Sequence, residues 1–279
     1  MNNGKSVGYS QIPNEAIKYA KNDLLIYAIS KLFERMISWD YVPAKFNIGK
    51  IIPLLKDEKG DLNSMNNIRP LTISDTISNM YEKYMLGQIM KTHVEPKQQY
   101  GFRDNSSCNH AIFTMKETVY HYGKRSKPVF SCLIDASKAF NKINRDILFN
   151  KLKNVMKKSL WKSLKSYYER SNAFVQFGYN KNDLFKTTIW VEQGGSLSPK
   201  LFSIYVEDLI KELATSGELC QIDENVIGVV MYADDLTIIA NNPKKFDNAL
   251  EICRKYGLEN EIKYNPKKTW YDFLTEQAH

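Results

Sequence analysis

The chain has 279 residues, 43% of them hydrophobic and 25% charged, enough apolar material for one large domain or two small ones, which excludes a disordered or collagen-like chain. Its 39 Lys and Arg against 31 Asp and Glu give a formal net charge of +8, a balance that suits a polyanionic partner or a membrane surface. Cys108, Cys132, Cys220 and Cys253 show no C-x-x-C spacing, so neither a disulfide framework nor a zinc knuckle is indicated, and a reducing compartment is expected. The first residues lack the apolar stretch of a signal peptide, and no window reaches the ~20 apolar residues of a spanning helix, so neither secretion nor membrane insertion is expected.

From Pro13, apolar residues recur at three- and four-residue steps through Ile17, Leu25, Ile29, Phe33 and Ile37, predicting one amphipathic helix. Residues 48–55 and 68–73 read as strands of a hairpin joined by the polar stretch Lys56-Asp-Glu-Lys-Gly-Asp61. Helical patterns follow at 78–94 and 106–122, and then a compact apolar run, 129–134, stops at Asp135 as a buried strand would. Helices are expected at 146–156 and 160–170, and a hairpin at 173–179 with 184–191. Gly194 and Gly195 break the chain, and Ser198-Pro199 supplies a cap and first-turn proline for a helix through Leu213. Strands at 226–231 and 236–240 bracket Tyr232-Ala-Asp-Asp235, and a last helix, 244–256, precedes a short strand. Without repeats, and with helices and strands alternating irregularly, the pattern is α+β rather than doubly wound.

Three acids stand where acids are costly: Asp135 at the end of an apolar run, and Asp234 with Asp235 between two apolar strands. Adjacent buried carboxylates repel one another and lose hydration. A divalent cation resolves that conflict if the strand ending at Asp135 lies beside the Asp234-Asp235 turn, and Mg²⁺ binds in this way through one or two carboxylates and substrate phosphates. Two such ions ~4 Å apart would clamp an in-line phosphoryl displacement. Taken alone, Asp-Asp also fits a polar β-turn.

The segment Met231-Tyr-Ala-Asp-Asp-Leu-Thr-Ile-Ile239 resembles the catalytic turn of reverse transcriptases, and other blocks follow in that family's order. Phe130-Ser-Cys-Leu-Ile-Asp-Ala-Ser-Lys-Ala-Phe-Asn141 resembles the strand of the first catalytic aspartate, and Gln193-Gly-Gly-Ser-Leu-Ser-Pro199 the block before the palm helix. Ile68-Arg-Pro-Leu71 resembles a fingers segment, Gln99-Tyr-Gly-Phe-Arg103 the block after it, and Asn265-Pro-Lys-Lys-Thr269 the palm block beyond the turn. The wording is most similar to non-LTR (LINE-type) retrotransposon enzymes.

The resemblance implies a right-hand polymerase with fingers and part of the palm in 1–125 and the catalytic palm in 126–279, an antiparallel palm sheet backed by helices. It implies RNA-directed DNA polymerase activity, with Asp135 and Asp234 as principal Mg²⁺ ligands, Asp235 in support, and Mn²⁺ as a substitute. Phe140 matches the steric gate against the 2′-hydroxyl, Gln193 the contact to nucleotide and template, and Arg69 the fingers arginine on the triphosphate, where a guanidinium fork suits phosphate. Lys268 matches the proton donor to pyrophosphate, with Lys267 as the alternative register. The partners implied are RNA template, DNA primer and deoxynucleoside triphosphates (dNTPs), without a membrane, in the cytoplasm and nucleus.

Several departures accompany this match. Asn141 and Gly195 replace residues usual in the family, and Gly8-Tyr-Ser-Gln-Ile-Pro13 lacks the customary Asp and Gly before Ile-Pro. The thumb is expected to be missing from this chain, with thumb and endonuclease regions expected in a full-length element. A different class of function, a catalytically weak remnant that only binds nucleic acid, would rest on phosphate contacts and weaken steeply with salt.

Overall fold

The alternating pattern of residues 48–73 becomes an antiparallel ladder in the computed structural model, which describes residues 3–20, 22–61, 64–136, 143–187 and 194–274. In chain order the elements begin with α1 (Asn14–Ala20), α2 (Asp23–Ser38), β1 (Ile48–Leu55), β2 (Ile68–Ile73), α3 (Thr76–Met90), α4 (Cys108–Gly123), β3 (Val129–Asp135) and α5 (Arg145–Leu152). They continue with α6 (Lys158–Glu169), β4 (Asn172–Phe177), β5 (Asn180–Lys181), β6 (Phe185–Lys186) and α7 (Ser198–Thr215). The last are β7 (Gln221–Ile222), β8 (Asn225–Val226), β9 (Val229–Tyr232), β10 (Asp235–Ala240), α8 (Pro243–Glu259) and β11 (Trp270–Leu274). The α+β reading therefore holds. Two compact packing units form, Met1–His93 with Phe149–Ser198, and Val94–Leu148 with Pro199–His279. The expected division at 125/126 separates functional regions, which these packing contacts do not test.

In the first unit the amphipathic stretch after Pro13 is two helices rather than one. Asn22 takes an extended backbone, and its Oδ1 accepts from Leu24 N at 2.9 Å and Leu25 N at 3.2 Å. That cap starts α2 afresh, although the apolar period continues across it. Strand β1 pairs antiparallel with β2 and parallel with β4, while β5 and β6 pair with β4. Against this sheet's helices sits an aromatic cluster: the Phe33 and Tyr81 rings meet edge-on at 5.3 Å, and those of Tyr81 and Tyr167 at 5.4 Å. Its polar atoms are satisfied internally, because the Tyr167 hydroxyl donates to Glu82 Oε1 at 2.9 Å, and Leu197 N donates to Glu82 Oε2 at 3.2 Å. Glu82 is fully buried. Near the start of the chain Gln11 adopts φ 60, the left-handed region that glycine favours. There Asp75 Oδ1 accepts from both the Ser10 amide and hydroxyl at 2.9 Å, so a tertiary contact supports the turn that lacks the family's Asp and Gly.

The second unit carries a sheet in the order β11-β3-β10-β9, antiparallel throughout. Helix α8 packs on β10, and α4 on β3 and β9. Tyr122, Val129, Cys220 and Ile239 form a buried cluster in which the Tyr122 hydroxyl donates to Gln221 O at 2.8 Å and accepts from Gln221 N at 3.0 Å. Helices α7 and α8 are tied by the Tyr205 hydroxyl donating to Asn260 O at 2.6 Å and the Tyr256 hydroxyl donating to Tyr205 O at 2.8 Å. The strand expected at 226–231 splits into β8 and β9 around Gly228, where a Cβ would stand 2.3 Å from Ile239 O and 2.5 Å from Cys220 N. Such close backbone approach requires glycine and lets the chain change partners. Cys108 is exposed and Cys132, Cys220 and Cys253 are buried, all as free thiols. Among the described residues no helix is long and apolar enough to cross a membrane.

Candidate active site

Strands β9 and β10 pair directly, Tyr232 against Asp235, which leaves Ala233-Asp234 as a two-residue turn. Tight hairpins need positive φ at a central position, and here Ala233 supplies it at φ 60. A side chain in that region costs about 1–2 kcal/mol, which glycine would avoid. The turn is therefore strained at the point where it presents two consecutive carboxylates, and such strain clusters at functional sites.

Strand β3 brings in the third carboxylate, because its register with β10 sets Asp135 directly opposite Asp235. Directly opposed residues hold their Cβ atoms about 4.5–5.5 Å apart, so like charges there repel. The Asp135 side chain is 21% exposed, Asp234 is half-buried and Asp235 is exposed. Desolvation first, then the charges of Asp234 and Asp135, push the Asp235 carboxyl above its ordinary value, with Lys268 opposing. Because Asp235 is accessible to water, solvent screens part of that interaction.

Asp135 is held from its other side. Its carbonyl accepts from Asn265 N at 2.9 Å, while Asn265 Oδ1 accepts from Lys267 N at 3.2 Å and Asn265 O from Lys268 N at 3.1 Å and Thr269 Oγ1 at 2.9 Å. This Asn-led turn, of the kind such side chains favour, directs the chain so that Lys268 Nζ lies 3.6 Å from Asp135 Oδ1. Of the two lysine registers, Lys268 is thus the one that reaches the carboxylates.

The other expected residues are distributed as follows. Arg69 lies on β2 of the first unit, opposite Leu54, and is exposed. Phe140 and Gln193 lie outside the described residues. The chain just after Gln193 is tightly held within the first unit: Gly194 has φ 114, and a Cβ there would stand only 2.6 Å from Thr72 O, while Leu197 N is anchored on Glu82. Sequence reasoning missed Asn265 and Glu82 as positioning groups. The Asn-Pro dipeptide was a readable turn signal for the first, whereas a lone Glu in a helical pattern offered none for the second.

The donor set suits a hard cation. Asp135, Asp234 and Asp235 offer only carboxylate oxygens, and among the described residues no group of three or more His, Cys, Asp or Glu side chains stands where it could hold a metal ion by itself. An open, oxygen-only site is the kind Mg²⁺ uses when water and substrate phosphates complete its shell.

The fold is the fingers-and-palm fold of polymerases. A telomerase from Candida tropicalis, solved with a TWJ fragment of telomeric RNA, superposes with a TM-score of 0.61 at 14% identity, over 89% of this chain and 45% of that one. The same enzyme truncated from its C-terminal domain gives 0.60 at 16%, over 85% of this chain and 52% of that one. The chain belongs to the Reverse transcriptase (RNA-dependent DNA polymerase) family, which it matches over residues 56–272. The relatives it matches are named as RNA-directed DNA polymerases of mobile elements. It is 24% identical to the RNA-directed DNA polymerase from mobile element jockey of Drosophila funebris, over 85% of this chain and 26% of that protein. It is 22% identical to the probable RNA-directed DNA polymerase from transposon BS of Drosophila melanogaster, over 95% of this chain and 30% of that one. The chain thus spans under a third of the length of these curated relatives. Reverse transcriptase domains generally use divalent metal ions.

Proposed function

We propose that this chain copies RNA into DNA by transferring deoxynucleotides onto a primer 3′-hydroxyl, as the polymerase portion of a non-LTR retrotransposon protein. The observation that carries this reading is Asp135 facing Asp235 beside Asp234, with Lys268 3.6 Å from Asp135. The primer 3′-hydroxyl gives its proton to solvent as its oxygen attacks the α-phosphorus, the bond from that phosphorus to the α,β-bridging oxygen breaks, and pyrophosphate leaves. Asp135 and Asp234, supported by Asp235, would hold two Mg²⁺ ions, for which Mn²⁺ can substitute. Such ions, if bound, would supply activation of the primer hydroxyl and neutralisation of the charge that develops in the transfer.

The remaining roles belong to side chains. The Lys268 ammonium offsets the carboxylate charge and passes a proton to the departing pyrophosphate. Arg69 grips the triphosphate through a bidentate fork, as guanidinium geometry favours. Gln193 would contact nucleotide and template, and Phe140 would serve as the gate against a 2′-hydroxyl. The net charge of +8 suits RNA template and DNA primer, whose phosphates attract such a surface. The same reading places the protein inside the cell, in cytoplasm and nucleus.

Primer extension on poly(rA)/oligo(dT) tests the proposal. Mg²⁺-dependent extension that Asp234→Asn abolishes is expected. Extension unchanged by that substitution would remove the aspartates from the chemistry, and no extension together with salt-sensitive RNA binding would leave only the nucleic-acid-binding remnant.

A further inference from the structure

The segment Gln99-Tyr-Gly-Phe-Arg103 has no part in the mechanism above, yet it lies against the aspartate turn. Met231 N donates to Gln98 O at 2.9 Å and Tyr100 N donates to Met231 O at 2.7 Å, which makes a parallel bridge between Gln99 and Met231 of β9. One residue on, a Cβ at Gly101 would stand 2.1 Å from Ala233 N and 2.9 Å from both Ala233 Cα and Tyr232 C. Every one of these atoms is backbone, so no side-chain rotation relieves the overlap. The φ of Gly101 is outside the left-handed region, so space rather than conformation demands the glycine.

The segment is also braced against retreat. Gln99 is fully buried and its Oε1 accepts from Gly101 N at 3.0 Å. Arg103 Nη1 donates to Lys97 O at 3.2 Å, and the Tyr100 hydroxyl shares a 2.9 Å hydrogen bond with Thr114 Oγ1. The turn on the other side is the strained partner, with Ala233 already at φ 60.

We propose that Gly101 is a positioning residue for the Asp234-Asp235 turn: the braced segment 98–103 clamps the turn through backbone contact that only glycine permits, so that any side chain there displaces the carboxylates. The kinetic consequence rests on the polymerase reading, whereas the clamp itself does not.

The test compares the full 279-residue chain with Gly101→Ala, using Gly87→Ala as control because a methyl added at Gly87 would meet nothing within 4 Å. Gly101→Ala is expected to lower kcat by roughly a hundredfold, the scale of an ångström-sized misplacement, with KM for the dNTP within about twofold. Amide exchange at Tyr100 and Met231 is expected to quicken roughly tenfold while α7 amides keep the parent rate, a local opening rather than global loss. Gly87→Ala should match the parent in both. Parent-like exchange at Tyr100 and Met231, or a kcat that falls only with the folded fraction, would overturn the proposal. If the parent chain itself does not extend primers, the polymerase reading fails and the exchange comparison alone decides the clamp. Should Gly101→Ala not fold, Arg103→Ala frees the loop without adding atoms, and the same exchange increase is required of it.

Discussion

Replacing Asp235 by Asn should stabilise the metal-free protein while impairing its chemistry. Asp135 and Asp235 are directly opposed across β3 and β10, with Asp234 adjacent. Cross-strand charge pairs are worth roughly 0.2–1 kcal/mol, unfavourable for like charges. The exposure of Asp235 puts the gain in the lower half of that range, so about 0.5 kcal/mol and a rise of roughly 1–2 °C in Tm for a chain of this size. The pH dependence has a definite sign. The folded state raises the Asp235 carboxyl above its ordinary value, so it favours the protonated form. Its stability contribution is complete below the ordinary carboxylate value and is lost as pH rises through the raised one. The advantage of Asn over Asp therefore opens as pH climbs through the carboxylate range and stays constant above it. Mg²⁺ narrows it, because a cation bound to the folded parent stabilises that state by mass action. Thermal melts in chelator near pH 4 and pH 7, then with Mg²⁺ added, measure all three effects. A variant that is less stable than the parent in chelator at neutral pH, or whose advantage grows toward acid, would refute the charge-repulsion argument.

Three further outcomes follow from the same geometry. Lys268→Ala should slow extension by roughly a hundredfold, in keeping with loss of a general acid, while Lys267→Ala, whose backbone alone joins the Asn265 turn, stays within about twofold; single-turnover rates separate the two. Glu82→Ala removes the acceptor of the buried Tyr167 hydroxyl and Leu197 amide, at about 1–3 kcal/mol each, so urea unfolding should show a loss of about 2–6 kcal/mol, with Tyr167→Phe costing about 1 kcal/mol. Phe140→Val should raise ribonucleotide incorporation in a competition assay, and equal discrimination by variant and parent would remove Phe140 from the gate.

The elements whose signal is local were legible in the sequence. The runs at 48–55, 68–73 and 129–134 emerged as β1, β2 and β3, the last ending on Asp135, because apolar content and turn residues bound them. The juxtaposition of Asp135 with the Asp234-Asp235 turn could be anticipated from the cost of isolated buried carboxylates. Non-local or noisy features were not legible. The parallel pairing of β1 with β4 joins segments far apart in the chain, and no periodicity encodes a partner. The β7-β8 hairpin turns at Asp223-Glu224 with Asp223 at φ 52, without the glycine that usually marks such a turn. The bridge from Gln99 to Met231 of β9 comes without any alternation in the sequence around it, so nothing local announced it. The break before α2 could have been read from Asn22, but the apolar repeat on both sides of it concealed the cap.

The aspartate turn breaks three local rules at once: a non-glycine residue at positive φ, two adjacent acids, and a third acid opposed across the ladder. Each lowers the stability of the isolated fold, and natural sequences accumulate such conflicts where function requires them. Contacts from outside the turn hold it in place. The Gln98 and Tyr100 backbone groups bind Met231 on one side, and Asn265 binds the Asp135 carbonyl on the other. Neither of these contacts uses a carboxylate oxygen, so they position the acids through the backbone, while Lys268 Nζ stands 3.6 Å from Asp135 Oδ1. Substitutions that restore the local rules, Asp235→Asn among them, should accordingly raise stability as they lower activity, the trade-off expected where a site is held against its own electrostatics.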